Sequence, residues 1–188
     1  MRDEILLAGS GGQGVLLVGE VLARAALLEG KETCWFPIYS PEVRGGTSTC
    51  TVIIADETVG SPISGRPRVG VMLNQRAMDD HGASVRAGGL LLSNASLVRH
   101  LVDRDDVAIY ELPATDLARE QGAELTTNLV MLGACLAVAG SVSLEALPGA
   151  LQATLPERHH KLIPVNLRSI EAGAEYVRQH GPTVRKSA

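Results

Sequence analysis

The 188-residue sequence has the composition of a folded globular protein, with 45% hydrophobic and 20% charged residues. This balance excludes intrinsic disorder, which requires low hydrophobicity and high charge. A formal net charge of −4 argues against attraction to nucleic-acid phosphates or anionic membranes. Aromatic residues make up only 3% of the chain, so stacking on single-stranded nucleic acid is not expected. The core must instead be built from Val, Leu, Ile and Ala, as in a parallel sheet covered by helices.

The cysteines and the apolar segments predict a cytoplasmic protein without a membrane span. Cys34, Cys50 and Cys135 form no CxxC motif, so neither a disulfide framework nor a metal or iron–sulfur site is expected. We interpret all three as buried thiols of a reducing compartment. The N-terminus lacks the apolar stretch of a signal peptide. The uncharged run at residues 125–144 is interrupted by Thr, Asn, Gly and Ser, which suits a buried helix better than a bilayer crossing.

The first part of the chain alternates between strand and helix patterns. Glu4–Ala8 is a short apolar run typical of a central strand. Gly12–Leu28 carries apolar residues at three- and four-residue intervals, which predicts a helix that ends near Gly30. Thr33–Tyr39 and the β-branched segment Thr47–Ala55 are predicted strands, separated by a loop of turn-forming residues.

Further strands and then a run of helices are predicted after the Pro- and Gly-rich segment at residues 60–67. The strand patterns are Val69–Leu73, Leu90–Ser93 and Val107–Leu112. The helical patterns are Gln75–Arg86, Leu117–Gln121, Asn128–Ala139, Leu144–Leu155 and Val165–Gln179. This order predicts an α/β fold, a Rossmann-like three-layer sandwich with a mainly parallel sheet and helices on both faces. No linker or repeat divides the chain, so residues 1–188 are expected to form a single domain.

A glycine-rich turn is the first candidate site. Its residues match G-x-G-x-x-G between a predicted strand and a predicted helix, and they are Gly9, Ser10, Gly11, Gly12, Gln13 and Gly14. Free N–H groups at the helix start would favour a phosphate or a carboxylate, and Gln13 could add a side-chain donor. A glycine turn can also close a strand–helix joint without binding a ligand.

A dinucleotide site is a poorer match to the sequence. NAD binding would need an acidic residue at the end of the second strand to hold the ribose hydroxyls. That strand ends in Trp35-Phe36-Pro37-Ile38-Tyr39-Ser40, with no acid before Glu42 and no arginine of the kind that NADP would need. The turn therefore predicts an anion or phosphate cradle rather than a dinucleotide site.

A second candidate loop follows the second predicted strand. It contains Ser40, Pro41, Glu42, Arg44, Gly45, Gly46 and Thr47. If the second strand lies beside the first, this loop emerges at the same carboxyl edge of the sheet as the glycine turn, where ligands of open α/β sheets bind. Arg44 would then present a guanidinium near that edge, although a surface salt bridge on a flexible turn is the alternative.

The remaining polar residues predict little chemistry within this chain. His159 and His160 are adjacent and therefore point apart, which argues against a metal site. No Ser-His-Asp, Cys-His or GxSxG arrangement is present. Asn128 is placed to cap the helix that it opens, and Thr126 and Thr127 compete for that role.

Three segments together resemble a known family. ILLAGSGGQGVLLVGEVLARAA, YSPEVRGGTSTCTVIIAD and TTNLVMLGACLAVAG resemble the gamma subunit, or gamma domain, of 2-oxoacid:ferredoxin oxidoreductases, and the similarity spans roughly residues 3 to 180. This family includes enzymes for pyruvate, 2-oxoglutarate, 2-oxoisovalerate and indolepyruvate. The combination of the GxGGQG turn and the PEVRGG loop is specific, whereas either motif alone is weak.

The resemblance implies a subunit of a larger oxidoreductase that is inactive by itself. In the family, thiamine diphosphate with Mg²⁺ and the [4Fe–4S] clusters are held by alpha, beta and ferredoxin-like delta subunits. The 2-oxoacid is decarboxylated there, electrons pass to ferredoxin, and the acyl group usually passes to coenzyme A, whose site is associated with the gamma part. No cofactor is therefore expected on this chain alone, except for a contribution to coenzyme A binding.

The resemblance also assigns roles to the two candidate loops. The glycine turn is expected to hold an anion or a close subunit contact. The second loop, with Arg44 and together with Asn128, is expected to face the active-site region or a partner subunit. Ser40 stands where many members have Gly, and Ser10 stands where bulkier residues are common. Two other functions remain as alternatives: a stand-alone nucleotide- or NAD(P)-binding oxidoreductase, and a non-enzymatic Rossmann-like binding or scaffold subunit.

Overall fold

A computed structural model describes residues 1–39, 46–60 and 65–183. In this part of the chain, six strands form one sheet in the order β2-β3-β1-β4-β5-β6. The strands are β1 (Arg2–Ser10), β2 (Glu32–Tyr39), β3 (Thr47–Ala55), β4 (Val69–Met72), β5 (Leu90–Asn94) and β6 (Ala108–Leu112). The helices are α1 (Val15–Leu28), α2 (Gln75–His81), α3 (Ala114–Glu120), α4 (Thr127–Ala139), α5 (Leu147–Thr154) and α6 (Ile163–His180).

The sheet is mixed because β3 runs against its two neighbours. β1, β4, β5 and β6 pair in parallel, whereas β3 pairs antiparallel with both β1 and β2. The second strand therefore does not lie beside the first, which was the condition on which the position of the second loop was argued. The short connection after β2 returns the chain as an antiparallel neighbour, and this strand takes the place next to β1. Because β2 and β1 still point the same way, the carboxyl ends of both strands lie at the same edge of the sheet.

Helices cover both faces of the sheet, as the sequence predicts, but unequally. One face packs against α1 and α4, which in turn pack against α3, α5 and α6, and this side contains the larger core cluster. The other face is covered by α2 and contains a smaller cluster that includes Ala8, Met72 and Met78. Both clusters consist of aliphatic residues with Met and Cys, whereas Trp35 and Phe36 are partly exposed on the edge strand β2. The prediction of an aliphatic core is confirmed.

Several element boundaries differ from the sequence expectations. The pattern at Gln75–Arg86 is a seven-residue helix followed by a 3₁₀ turn at Gly82–Ser84. The pattern at Leu144–Leu155 likewise divides into the 3₁₀ turn Leu144–Ala146 and α5. The uncharged run at residues 125–144 contains α4, which is 13 residues long and largely buried. Among the described helices, none combines the length and the apolar character that crossing a bilayer requires.

Candidate functional site at the glycine turn

The glycine turn joins the end of β1 to the start of α1. The backbone N–H of Gln13 donates to the carbonyl of Ser10 over 3.1 Å and closes the turn. The N–H of Gly11 donates to the carbonyl of Gly46 over 3.1 Å, which ties the turn to the residue that precedes β3. The turn is therefore held by backbone bonds at the carboxyl edge of the parallel strands, where this class of sheet binds its ligands.

Glycine is required at two positions of this turn. Gly12 and Gly14 have φ angles of +87° and +72°, a left-handed conformation that side chains disfavour. A Cβ atom at Gly14 would also lie 2.3 Å from the side-chain nitrogen of Asn128. No atom lies within 4 Å of a Cβ atom built at Gly12, so that position opens onto free space. The turn thus combines one glycine that permits close packing with one that leaves room for a ligand.

The start of α1 presents unpaired donors beside this space. The first backbone bond of the helix runs from the N–H of Val18 to the carbonyl of Gly14, over 3.1 Å. The N–H groups of Val15, Leu16 and Leu17 therefore have no acceptor within the helix, and no side chain caps it. A cavity of about 250 Å³ lies against this helix start and is also lined by Ser48 of β3. The donors and the positive end of the helix dipole favour an anion there.

The side-chain oxygen of Gln13 braces the turn, and the donor role expected from the sequence stays a prediction for its side-chain nitrogen. Its Oε1 accepts hydrogen bonds from the N–H of Ser10 and from Asn74 Nδ2, both over 2.7 Å. Asn74 Nδ2 also donates to Ser10 Oγ over 2.8 Å, while Asn74 Oδ1 caps α2 by accepting from the N–H of Ala77. Gln13 and Asn74 therefore brace the turn. Asn74 is missing from the sequence-based site, although its place between a strand and a helix marks it as a cap.

Asn128 contacts the glycine turn but does not cap α4. The helix begins at Thr127, and Thr126 occupies the cap position, as one of the alternatives from sequence had it. Asn128 lies one residue inside the helix, buried, and its Nδ2 donates to the carbonyl of Gly14 over 3.2 Å. The structure thus brings Asn128 to the site through a contact across 114 residues of sequence.

A second cavity lies on the other side of the turn. It measures about 240 Å³ and lies among Gly12, Gln13, the start of α4 and the ends of β4, β5 and β6. Leu97 and Leu125 line it, and Leu125 is 96% exposed. Gly12 therefore lines both cavities.

The second candidate loop is described only at its end. Ser40, Pro41, Glu42, Arg44 and Gly45 lie outside the described residues. Gly46 is buried, and Thr47 pairs with Ser10 at the start of β3.

The order of the strands also bears on whether the glycine turn could bind a dinucleotide. Because β3 lies between β1 and β2, the end of β2 is two strands away from the glycine turn, roughly 10 Å. This separation argues against the dinucleotide geometry, in which the second strand neighbours the first.

Cys50 and Cys135 are buried, as the sequence predicts, and offer no reactive thiolate, whereas the prediction that Cys34 is buried is wrong because it lies partly exposed on the edge strand β2. Burial raises the pKa of Cys50 to about 12, against a weaker opposing hydrogen bond with Trp35. Burial likewise raises the pKa of Cys135 to about 12. In residues 1–39, 46–60 and 65–183, no group of three His, Cys, Asp or Glu side chains is arranged to hold a metal ion.

Comparison with protein families identifies the chain. Residues 4–176 match the family model described as pyruvate ferredoxin/flavodoxin oxidoreductase. The chain belongs to the pyruvate ferredoxin/flavodoxin oxidoreductase family. Ketoisovalerate oxidoreductase subunit VorA of Methanothermobacter thermautotrophicus is 41% identical over 178 residues, which cover 94% of this chain and 36% of VorA. 2-Oxoglutarate synthase subunit KorC of Methanocaldococcus jannaschii is 38% identical over 160 residues, which cover 84% of this chain and 86% of KorC.

Solved structures of the oxidoreductase family have the same fold. The gamma subunit of a keto/oxoacid ferredoxin oxidoreductase from Geobacter sulfurreducens is 32% identical, with a TM-score of 0.80, and the match covers 94% of this chain and 99% of that subunit. A 2-oxoglutarate:ferredoxin oxidoreductase from Magnetococcus marinus, with 2-oxoglutarate, coenzyme A and succinyl-CoA bound, has a TM-score of 0.86 at 21% identity. That match covers 97% of this chain and 32% of the other. The fold thus occurs both as a separate subunit and as about a third of a longer chain.

Proposed function

We propose that the chain is the gamma-type domain of a thiamine-diphosphate-dependent 2-oxoacid:ferredoxin oxidoreductase in the cytoplasm. Its partners would be alpha, beta and ferredoxin-like delta subunits, and the complex would oxidatively decarboxylate a 2-oxoacid with electrons passed to ferredoxin. VorA and KorC match at similar identity and carry the names of different acids, so the proposed substrate is a class, the 2-oxoacids. The match to a gamma subunit over 99% of its length supports this role.

The observation that carries the proposal is the set of unpaired N–H groups at the start of α1. Val15, Leu16 and Leu17, whose N–H groups have no acceptor within the helix, line a cavity together with Gly12. A phosphate group of coenzyme A fits this donor set, because unpaired helix N–H groups bind phosphate without a side-chain cation. The Magnetococcus enzyme has coenzyme A bound. When bound, coenzyme A supplies the thiol that accepts the acyl group, and this chain would hold and orient it.

The cysteines of this chain do not fit an iron–sulfur cluster. Cys50 and Cys135 are buried thiols with pKa values raised to about 12, and Cys34 lies apart on the edge strand. A cluster needs several accessible thiolates close together. We therefore assign the clusters to partner subunits, and we assign thiamine diphosphate and Mg²⁺ to partner subunits on the resemblance to the family alone. The second loop, from Ser40 to Gly45, is assigned to the same interface on its resemblance to the family alone.

The proposal is tested by a matched pair of glycine variants in the assembled enzyme. Gly12→Ala and Gly30→Ala both place a side chain at a positive φ, +87° and +73°, with no atom within 4 Å of the new Cβ. Each should cost about 1–2 kcal/mol of stability through backbone strain. Only Gly12→Ala should obstruct the cradle, and we expect it to raise the KM for coenzyme A about tenfold or more, as loss of one charge-assisted hydrogen bond would.

The complex is obtained by co-expression with the chains encoded beside this one, and oxoacid-dependent ferredoxin reduction is measured. The isolated chain should show no turnover. Equal kinetics for the two variants would remove the glycine turn from the coenzyme site. Failure of the chain to assemble with any oxidoreductase subunit would overturn the proposed function itself.

A further inference from the structure

The amino edge of the parallel strands carries a second concave site, opposite the glycine turn. A cavity of about 530 Å³ lies where the chain enters β4, β5 and β6. Its lining includes three arginines and one aspartate, namely Arg66, Arg86, Arg104 and Asp106. An excess of positive charge is unusual in a chain whose formal net charge is −4.

The walls of this cavity are fixed by backbone hydrogen bonds. The N–H of Arg86 donates to the carbonyl of Pro67 over 3.0 Å, and the N–H of Gly88 donates to the carbonyl of Asp106 over 2.7 Å. Arg104 donates from one nitrogen to the carbonyls of Ala83 and Val85, over 2.9 and 3.0 Å. The three strand entries are thereby tied together, so the cavity is preorganised and a ligand would not have to order it.

The three arginines differ in how far their charge is already neutralised. Arg104 forms an ion pair with Asp106, including a hydrogen bond of 2.7 Å, so its guanidinium is fully engaged. Arg66 and Arg86 are exposed, and neither forms a hydrogen bond or an ion pair with its side chain in the described part of the chain. Arg86 is near enough to Asp3 to lower the pKa of that carboxyl, but it does not bond to it. Two guanidinium groups therefore remain available at one cavity.

We propose that this cavity binds a compact phosphate-bearing anion, held between the Arg66 and Arg86 guanidinium groups. Guanidinium groups pair with phosphate oxygens through two parallel hydrogen bonds, which gives both affinity and orientation. The lining contains no aromatic side chain and little apolar surface, so it offers nothing on which a nucleobase could stack. The recognised group is thus the phosphate moiety itself, whether free or as the terminal group of a larger compound.

A calorimetric titration of the full chain with pyrophosphate at low ionic strength tests this site. We expect saturable binding at one site that weakens as salt is added. Arg66→Gln and Arg86→Gln should each weaken binding about tenfold, and the double variant should abolish it. Arg86→Lys keeps the charge but loses the paired hydrogen bonds, so its affinity for pyrophosphate should lie between those of the wild type and Arg86→Gln. Arg168→Gln, which removes an exposed arginine of α6, is the matched control and should bind like the wild type.

The outcomes separate this site from the glycine turn. Full pyrophosphate affinity in the double variant would mean that the anion binds elsewhere, and the inference would be wrong. Absence of saturable binding to the wild type would overturn it as well. Binding of succinate in place of pyrophosphate would show a carboxylate site and contradict the assignment to phosphate. Because Gly12 lies at the other edge of the sheet, Gly12→Ala should leave this titration unchanged.

Discussion

At the scale of single residues, the contact between Gly14 and Asn128 joins the glycine turn to α4. The Asn128 amide donates to the carbonyl of Gly14, and it occupies the space that a side chain at position 14 would need. The carbonyl of Gly14 also accepts the first hydrogen bond of α1. The same backbone oxygen therefore ties the start of one helix to the start of another, which fixes the cradle relative to the helical layer.

Gly14→Ala should destabilise the chain by about 2 kcal/mol or more, measured by urea unfolding. Left-handed backbone strain contributes about 1–2 kcal/mol, and the clash with the Asn128 amide adds to it. Asn128→Ala removes the clashing group, so the double variant should be more stable than the sum of the single losses predicts. The difference should be roughly 0.5–3 kcal/mol. Strict additivity would show that the two residues do not share this space.

At the scale of elements, α4 and α6 pack together unusually closely. A Cβ atom at Gly133 of α4 would lie 1.8 Å from the carbonyl oxygen of Ile170. A Cβ atom at Gly173 of α6 would lie 1.9 Å from the carbonyl oxygen of Val130. The two glycines therefore allow each helix backbone to touch the other. Because the clashing atoms belong to the backbone of the facing helix, no side-chain rotation could make room for a larger residue at either position.

Gly133→Ala should therefore lower the stability by about 3 kcal/mol or more, a fall in Tm of roughly 6–12 °C for a chain of this size. Gly149→Ala is the matched control, because Gly149 is also helical but exposed, and its nearest neighbour is the flexible end of Leu28 at 3.2 Å. The control should raise stability by about 0.5–1 kcal/mol through helix propensity. Equal Tm changes in the two variants would contradict the close helix crossing.

Local sequence patterns predict which segments form strands and helices better than they predict which of these elements lie next to each other. Apolar runs and helical periodicity located the strands and the long helices, with differences mainly at their ends and at the 3₁₀ turns. They could not place β3 between β1 and β2, because pairing partners depend on the tertiary course of the chain. The glycine turn was recognisable because its signal is local. The contacts of Asn74 and Asn128 were not, because the residues that they meet are 61 and 114 positions away.

At the scale of the whole molecule, the two edges of the sheet serve different purposes. The carboxyl edge carries the glycine turn with its cavities, whereas the amino edge carries a buried charge that joins the sheet to the helical layer. Asp3, at the start of β1, is 2% exposed and accepts hydrogen bonds from Arg68 and Ser141. Arg68 also donates to the carbonyl of Ala139 at the end of α4, over 2.8 Å. These bonds connect β1, the entry to β4 and the end of α4.

The charge on Asp3 makes the stability of the molecule depend on pH. Burial alone would raise the pKa of Asp3, but the hydrogen bonds from Arg68 and Ser141 outweigh it and hold the pKa below its ordinary value. A carboxyl whose pKa is lower in the folded state stabilises the fold above its unfolded pKa of about 3.9. That contribution is lost as the pH falls through the folded pKa, when the folded state also takes up a proton.

Asp3→Asn should therefore cost about 2–4 kcal/mol at neutral pH, because it leaves Arg68 without its counter-charge at a partly buried position. Unfolding in urea from pH 8 to pH 3 should show a constant difference between wild type and variant down to about pH 5, and a narrowing difference below about pH 4. Glu120→Gln, an exposed change at the end of α3, should follow the wild type closely. If the Asp3→Asn difference stays constant to pH 3, the ionised carboxyl is not what joins the sheet to the helices.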